Sequence, residues 1–261
     1  MIDLHSHLLP DWDDGAKDWD EMLFMAEIAF KDGIKKIVLT PHIYRLCKHG
    51  DNLALLEQRI AQLKERAAGI PIDFYRGAEV FVHHEIVENI RKHNFTINNS
   101  DYFFIEFPSD YILSGVKDLF FNIMLKQFIP IISHPERNAV FMERPELLYE
   151  LVKMGSLAQV TAKSVSGEFG SETKKAAHLF MKYNLVHFIA SDAHDSGRRP
   201  PRLSLGVDEA GKVVGEEKAA AMVTEIPQAI LDNQSIPDWG EPESPAKKKW
   251  TIRIPKKNKK K

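Results

Sequence analysis

Residues 1–7, MIDLHSH, decide how the rest of the chain is read: an apolar, β-prone run ends in two histidines two positions apart. On a regular strand residues i and i+2 face one side, and at an irregular strand end both rings can turn toward a single point. The arrangement recurs. Six further runs, at 34–40, 72–78, 102–107, 129–133, 157–161 and 187–191, are short, apolar and rich in β-branched or aromatic residues, as strands are. His42 follows the second run, Glu79 the third and His134 the fifth; Glu106 ends the fourth, and Asp192 and His194 follow the seventh. Six of the seven predicted strands thus end in a side chain that can bind a metal or move a proton.

Amphipathic helical runs separate the strands near 18–32, 52–68, 84–92, 115–128, 144–154 and 171–184, with two or three more within 206–232. Asp18 fits an N-cap with Glu21 three residues on, and Gly33 lies just past the helix end; Gly69 closes the second helix in the same way. Short apolar strands between helices predict parallel strands covered by helices. In an open sheet the outer strand ends would lie too far apart for their polar groups to meet, whereas a barrel brings every end around one mouth. The expected fold is therefore α/β, a distorted (β/α)7 TIM-like barrel over residues 1–235 with a metal site at the C-terminal ends of the strands.

Composition agrees with one large domain: 261 residues, 44% of them hydrophobic, can bury a single substantial core. No run of about 18 apolar residues occurs, and Asp3, His5 and His7 stand where a signal peptide would be basic and then apolar. One cysteine, Cys47, allows no internal disulfide. These features predict a cytoplasmic protein. The formal charge of −2 is unevenly spread: residues 247–261 hold nine of the 35 Lys and Arg, leaving 26 basic against 37 acidic residues, or −11, in the rest. Residues 236–261 read as a flexible linker, rich in Pro, Ser and acids, followed by a basic tail that could meet an anionic surface.

His5, His7, Asp14, His42, Glu79, Glu106, His134, Asp192 and His194 are too many ligands for one four-ligand site, so two or three ions sharing bridging groups are expected. Imidazole and carboxylate without thiolate suit Mn, Fe or Zn. His49, His83, His84, His93, His178 and His187 lack the placement, and His187, at the amino end of the seventh strand, belongs to the stability side of a barrel. Cys47 is not a phosphatase nucleophile, since CKHGDNLA provides no following Arg. Arg137 lies close after His134, and Arg198, Arg199 and Arg202 after His194. Forked guanidinium donors beside clustered metals match phosphate oxygens and point to phosphoester hydrolysis; the alternative for Arg137 is a salt bridge with Glu136 or Glu143.

MIDLHSHLLP, DDGA, TPH, GAEV, IEFP, SHPERN, QVTA, FG and ASDAH, in this order, resemble the PHP (polymerase and histidinol phosphatase) superfamily, and within it the bacterial capsule-type protein-tyrosine phosphatases. The likeness runs from residue 1 to about residue 235. It implies a three-metal centre, usually of manganese, that acts on phosphotyrosine in a tyrosine kinase controlling capsular or exopolysaccharide synthesis. By motif, His5, His7, Glu79 and Asp192 would hold one ion; Glu79, Glu106 and His134 a second; Asp14, His42 and His194 a third. Arg137 and Arg199 would bind phosphate, and His42 and His194 would serve the reaction with them. Asp13 remains an alternative to Asp14, and Arg198 to Arg199. Relatives often continue TPH with a further His and polar residues; here Ile43, Tyr44 and Arg45 follow, so Tyr44 and Arg45 either shape the substrate pocket or pack on the loop. Competing expectations are a small-molecule phosphatase of the histidinol-phosphate type and a non-catalytic, metal-stabilised assembly domain.

Overall fold

The computed structural model describes residues 1–245 apart from 47, 50, 51 and 94; Cys47 and the basic tail lie outside the described residues. Nine strands occur among these: β1 (Ile2–Ser6), β2 (Lys36–Leu39), β3 (His42–Ile43), β4 (Asp73–Arg76), β5 (Glu79–Phe81), β6 (Tyr102–Glu106), β7 (Ile129–Ile132), β8 (Leu157–Thr161) and β9 (Phe188–Ala190). Every pairing is parallel, in the orders β1-β2-β4 and β3-β5-β6-β7-β8-β9. The count exceeds the seven predicted runs because two of them, 34–40 and 72–78, are each followed at once by a further short strand. Pro41, which has no N–H to give a ladder, separates β2 from β3. Gly77 and Ala78 separate β4 from β5, and a Cβ on Gly77 would lie 2.7 Å from Val38 Cγ1. His42 and Glu79, expected to follow strands, instead open new ones and pair with each other across β3 and β5.

The Asp192 amide donates to the His5 carbonyl at 2.9 Å and the His7 amide to the Ala193 carbonyl at 2.8 Å, so β1 lies beside the end of β9. The result is an α/β fold with a curled parallel sheet. β1, β6 and β8 are buried along their whole length, as strands covered on both faces are. The first helix, Trp19–Lys31, shows how the cover forms: Asp18 accepts the Glu21 amide at 2.8 Å, Met22, Met25, Ala26 and Ala29 make one buried stripe, and Gly33 follows at φ +91°. Glu21 does not close a capping box; its carboxylate accepts the Ser196 amide at 2.7 Å. The second helix stops at Arg66 with Ala67 as its cap, before Gly69. Five-residue helices at Ala139–Glu143 and Ala162–Ser166 are too short to leave a periodic signal.

Inside the curl Ile2, Leu4, Val38, Phe104, Ile131, Leu157 and Phe188 form an apolar floor. Alternation along the strands then sets Glu106 two residues beyond Phe104 and Gln159 two beyond Leu157, on the same inner face. The stretch after residue 235 does not behave as an unpacked linker as far as Glu243. Trp239 donates from Nε1 to the Val186 carbonyl at 2.9 Å, Lys218 Nζ lies 4.1 Å from its ring, and the Glu243 amide reaches the Tyr183 carbonyl at 2.9 Å. One large aromatic side chain with a satisfied N–H outweighs the polar composition around it. No helix among the described residues is long and apolar enough to cross a membrane.

Candidate metal centre

The β1–β2 register shifts between Asp3 and Ser6. Ile2 and Leu4 face the inner floor, and the irregularity lets His5 and His7 turn inward above them. Both rings are fully buried, with Nε2 atoms 3.2 Å apart. His5 Nδ1 lies 3.1 Å from Gln159 Oε1, and His7 Nδ1 lies 2.8 Å from Asp13 Oδ2. An oxygen on Nδ1 makes that nitrogen the N–H donor and leaves the Nε2 lone pair free for an ion.

Gly15 folds the following loop back onto β1: a Cβ there would sit 2.0 Å from the His7 carbonyl oxygen, which accepts the Ala16 amide at 3.0 Å. That fold-back separates the two adjacent acids. Asp13, buried, accepts from His7 Nδ1, from the His42 amide at 2.9 Å and from the Gly15 amide at 2.9 Å. Asp14, half exposed, stands 3.4 Å from both His42 Nε2 and His194 Nε2. Asp14 therefore joins the cluster and Asp13 orients it.

Glu79 is the centre of the arrangement and has no exposure. Its Oε2 lies 3.2 Å from His5 Nε2, 3.4 Å from His7 Nε2 and 3.2 Å from His42 Nδ1, and its Oε1 lies 3.2 Å from His134 Nε2. None of these is aligned as a hydrogen bond: both Glu79 oxygens, Glu106 Oε2 and His42 Nδ1 are buried without one. Such groups are costly in a protein interior unless a charge of opposite sign joins them. Four donor sets each fall within 4.8 Å: His7, Asp14, His42 and His194; His5, His134 and Asp192; His5, His7 and Glu79; His42, Glu79 and Glu106. All nine expected ligands are thus brought together, and imidazole nitrogens with carboxylate oxygens fit a borderline-to-hard divalent ion. The sets differ in part from those the resemblance implies, since His42 also reaches Glu79 and Glu106, and His134 also lies with His5 and Asp192.

Burial opposes charge on Asp192, yet Arg199, His194 and His5 hold its carboxyl well below the usual range. Burial likewise opposes charge on Glu79, and His5 and His134 hold it down. Glu106 is pushed up to about 7 by burial and then by Glu79. His134 is pushed down to about 4 by burial and then by Arg137, which keeps its imidazole neutral, as a ligand must be. His134 (φ 32°) and Asp192 (φ 53°) both occupy left-handed backbone, a conformation costing about 1 kcal/mol for a residue with a Cβ and frequent at functional sites.

Arg137 lies in the turn Pro135–Arg137, and Arg199 ends a loop in which Asp195 Oδ1 accepts the amides of Gly197 at 2.7 Å and Arg199 at 3.1 Å. Both guanidiniums donate to Asp192 Oδ2. Glu136 does not hold Arg137; it accepts the Thr161 amide at 2.9 Å. Arg198 and Arg202 are exposed and absent from the cavity lining. The cavity, about 190 Å³, is lined by the two arginines, seven of the nine candidate ligands, Arg45 and Leu46. Tyr44 packs edge-on against His83 and Phe95 instead, so the pair following His42 divides its work. None of the six histidines set aside enters the cluster, and His187 Nδ1 accepts the Ala158 amide at 3.1 Å at the opposite strand end. Sequence reasoning missed Gln159 and Asp3. Asp3 is fully buried and accepts the Ser191 amide at 2.9 Å, tying β1 to the segment that carries Asp192.

Fold and site define a class, an α/β protein whose curled parallel sheet gathers a histidine–carboxylate cluster and two arginines at one mouth. Within it, the chain belongs to the CpsB/CapC family of capsular polysaccharide synthesis, whose profile matches residues 1–232. Tyrosine-protein phosphatase YwqE of Bacillus subtilis is 35% identical over 252 residues, covering 95% of this chain and 98% of that protein. Tyrosine-protein phosphatase CpsB of Streptococcus pneumoniae is 30% identical over 248 residues, covering 90% and 100%. A chain from the crystal structures of YwqE and CpsB, described as unique metal-dependent tyrosine phosphatases, superposes with a TM-score of 0.89 at 35% identity over 94% of this chain and 99% of that one. Histidinol phosphate phosphatase from Lactococcus lactis shares the fold, with a TM-score of 0.55 at 13% identity over 83% and 93%.

Proposed function

We propose that the chain is a metal-dependent protein-tyrosine phosphatase, a phosphoric monoester hydrolase whose substrate is a phosphotyrosyl protein, in the first place the tyrosine kinase of capsular or exopolysaccharide assembly. The observation that carries this reading is the pair Arg137 and Arg199, converging on one carboxylate oxygen at the edge of a buried donor cluster. Both guanidiniums also line the cavity, where their forked donors fit an anionic substrate better than a purely structural metal domain would require. Three manganese ions are proposed, with iron or zinc as other fits; when bound they would supply Lewis acidity and a nucleophile at neutral pH. His5, His7, Glu79 and Asp192 would hold one, Glu79, Glu106 and His134 the second, and Asp14, His42 and His194 the third.

The chain's own residues do the rest. Asp13 and Gln159 keep His7 and His5 in the tautomer that offers Nε2. Arg137 and Arg199 turn from Asp192 to the non-bridging phosphoryl oxygens, which their forks match, and stabilise the charge that builds there as the bond from phosphorus to the tyrosyl oxygen breaks. The products are free phosphate and the protonated phenol, with water as the second reactant. His42 and His194, on either side of Asp14, set that part of the cavity. The same reading takes the seven strand units of residues 1–235 as one distorted (β/α)7 barrel and places the protein in the cytoplasm.

Turnover of a phosphotyrosyl peptide and of histidinol phosphate by the metal-loaded protein tests the reading. The peptide is expected to have the higher kcat/KM, by roughly tenfold or more. Faster turnover of histidinol phosphate would assign a small-molecule phosphatase, and no turnover of either would assign a non-catalytic domain.

A further inference from the structure

β3 ends at Ile43 and the chain turns at once, with Tyr44 at φ 69° and Leu46 at φ 56°. The Tyr44 ring anchors the turn from behind, 4.5 Å from the His83 ring and 5.8 Å from that of Phe95. Arg45, between the two turned residues, lines the same cavity as Arg137 and Arg199. Its guanidinium lies 4.9 Å from the centre of the Phe81 ring and 3.6 Å from Glu106 Oε1, too far for a charge-assisted hydrogen bond. The guanidinium is therefore held over Phe81 and paired with Glu106 by charge at 3.6 Å, a separation that leaves its forked N–H donors able to take a closer acceptor. Its side chain is 41% exposed, against 33% for Arg137 and 23% for Arg199, so Arg45 is the outermost of the three.

We propose that Arg45 is a specificity-determining residue that receives an acidic side chain flanking the phosphotyrosine of the protein substrate. The inference rests on the phosphatase reading. Two inner guanidiniums already match a phosphoryl group, and a third standing further out meets whatever the phosphotyrosine is attached to. Stacking on Phe81 keeps the fork oriented at little entropic cost, which favours a carboxylate over a lone point contact. The charge of the body makes the position selective: residues 1–246 carry a formal −11, which the basic tail brings to −2 for the full chain, so an acidic peptide gains little from long-range attraction and depends on a local cation.

The test compares kcat/KM of the full, metal-loaded chain on two phosphotyrosyl peptides that differ only in Glu or Lys beside the phosphotyrosine. The Glu peptide is expected to be preferred by about fivefold, the size of one partly exposed ion pair. Arg45→Glu should reverse the order and Arg45→Lys should keep a reduced preference. An active wild-type chain with equal rates on both peptides overturns the inference alone, and needs no variant to fold. A preference that survives unchanged in folded Arg45→Glu overturns it too. A wild-type chain inert on both peptides contradicts the phosphatase reading itself.

Discussion

Asp13 is a buried carboxylate that orients the histidine cluster. It accepts three hydrogen bonds, from His7 Nδ1, the His42 amide and the Gly15 amide, and so aims two ligands at once. Burial opposes its charge, but His7 holds its pKa below the ordinary carboxylate value. Asp13→Asn, which keeps one acceptor oxygen and puts an NH2 donor in place of the other, is expected to weaken divalent-ion affinity by about 10- to 100-fold with the fold intact; calorimetric titration alongside circular dichroism measures this. Unchanged affinity would show that His7 is not oriented through Asp13. The sequence could not separate Asp13 from Asp14, because adjacent acids share one spacing argument and only the fold-back at Gly15 tells them apart. The other eight candidate ligands were legible because each is a carboxylate or imidazole group at the end of an apolar run. Gln159 was not, being neutral, although its place two residues beyond Leu157 matches that of Glu106 beyond Phe104.

Strands and helices were legible wherever a periodic run was long enough, and the site followed from strand ends. The short strands β3 and β5 beyond Pro41 and Gly77 were not, since two or three residues are too few to leave a periodic signal. The packed stretch around Trp239 escaped as well, because composition averages over the one residue that binds. His187 tests the opposite end of the sheet, where β8 and the start of β9 meet through its Nδ1. Burial pushes its pKa down to about 4, whereas the unfolded chain binds that proton near 6.5. The folded chain therefore binds fewer protons between those values, so stability is complete above pH 6.5 and falls as the pH drops toward 4. His187→Asn, which keeps an oxygen for the Ala158 amide, should remove this loss. In urea unfolding with chelator present, wild type should lose about 2 kcal/mol relative to the variant between pH 7 and pH 5. A constant difference across that range would show that His187 is not buried as a neutral ring.

At the scale of the whole molecule, the curled sheet solves a problem of distance. Ligands drawn from chain positions 5 to 194 converge because β1 lies beside the end of β9, joined through Asp3 and Ser191 as well as through the backbone. The inference from strand ends to a shared mouth needed only that the polar groups meet; how the sheet is divided among nine strands depends on backbone breaks that side-chain patterns do not report. The central claim is that this mouth is a metal-dependent centre for phosphotyrosine hydrolysis. Its most direct test is metal content by mass spectrometry together with turnover of a phosphotyrosyl peptide, before and after a chelator. About three divalent ions per chain are expected, with loss of ions and turnover together and recovery of both on adding manganese. Full turnover by a chain stripped of metal would contradict it.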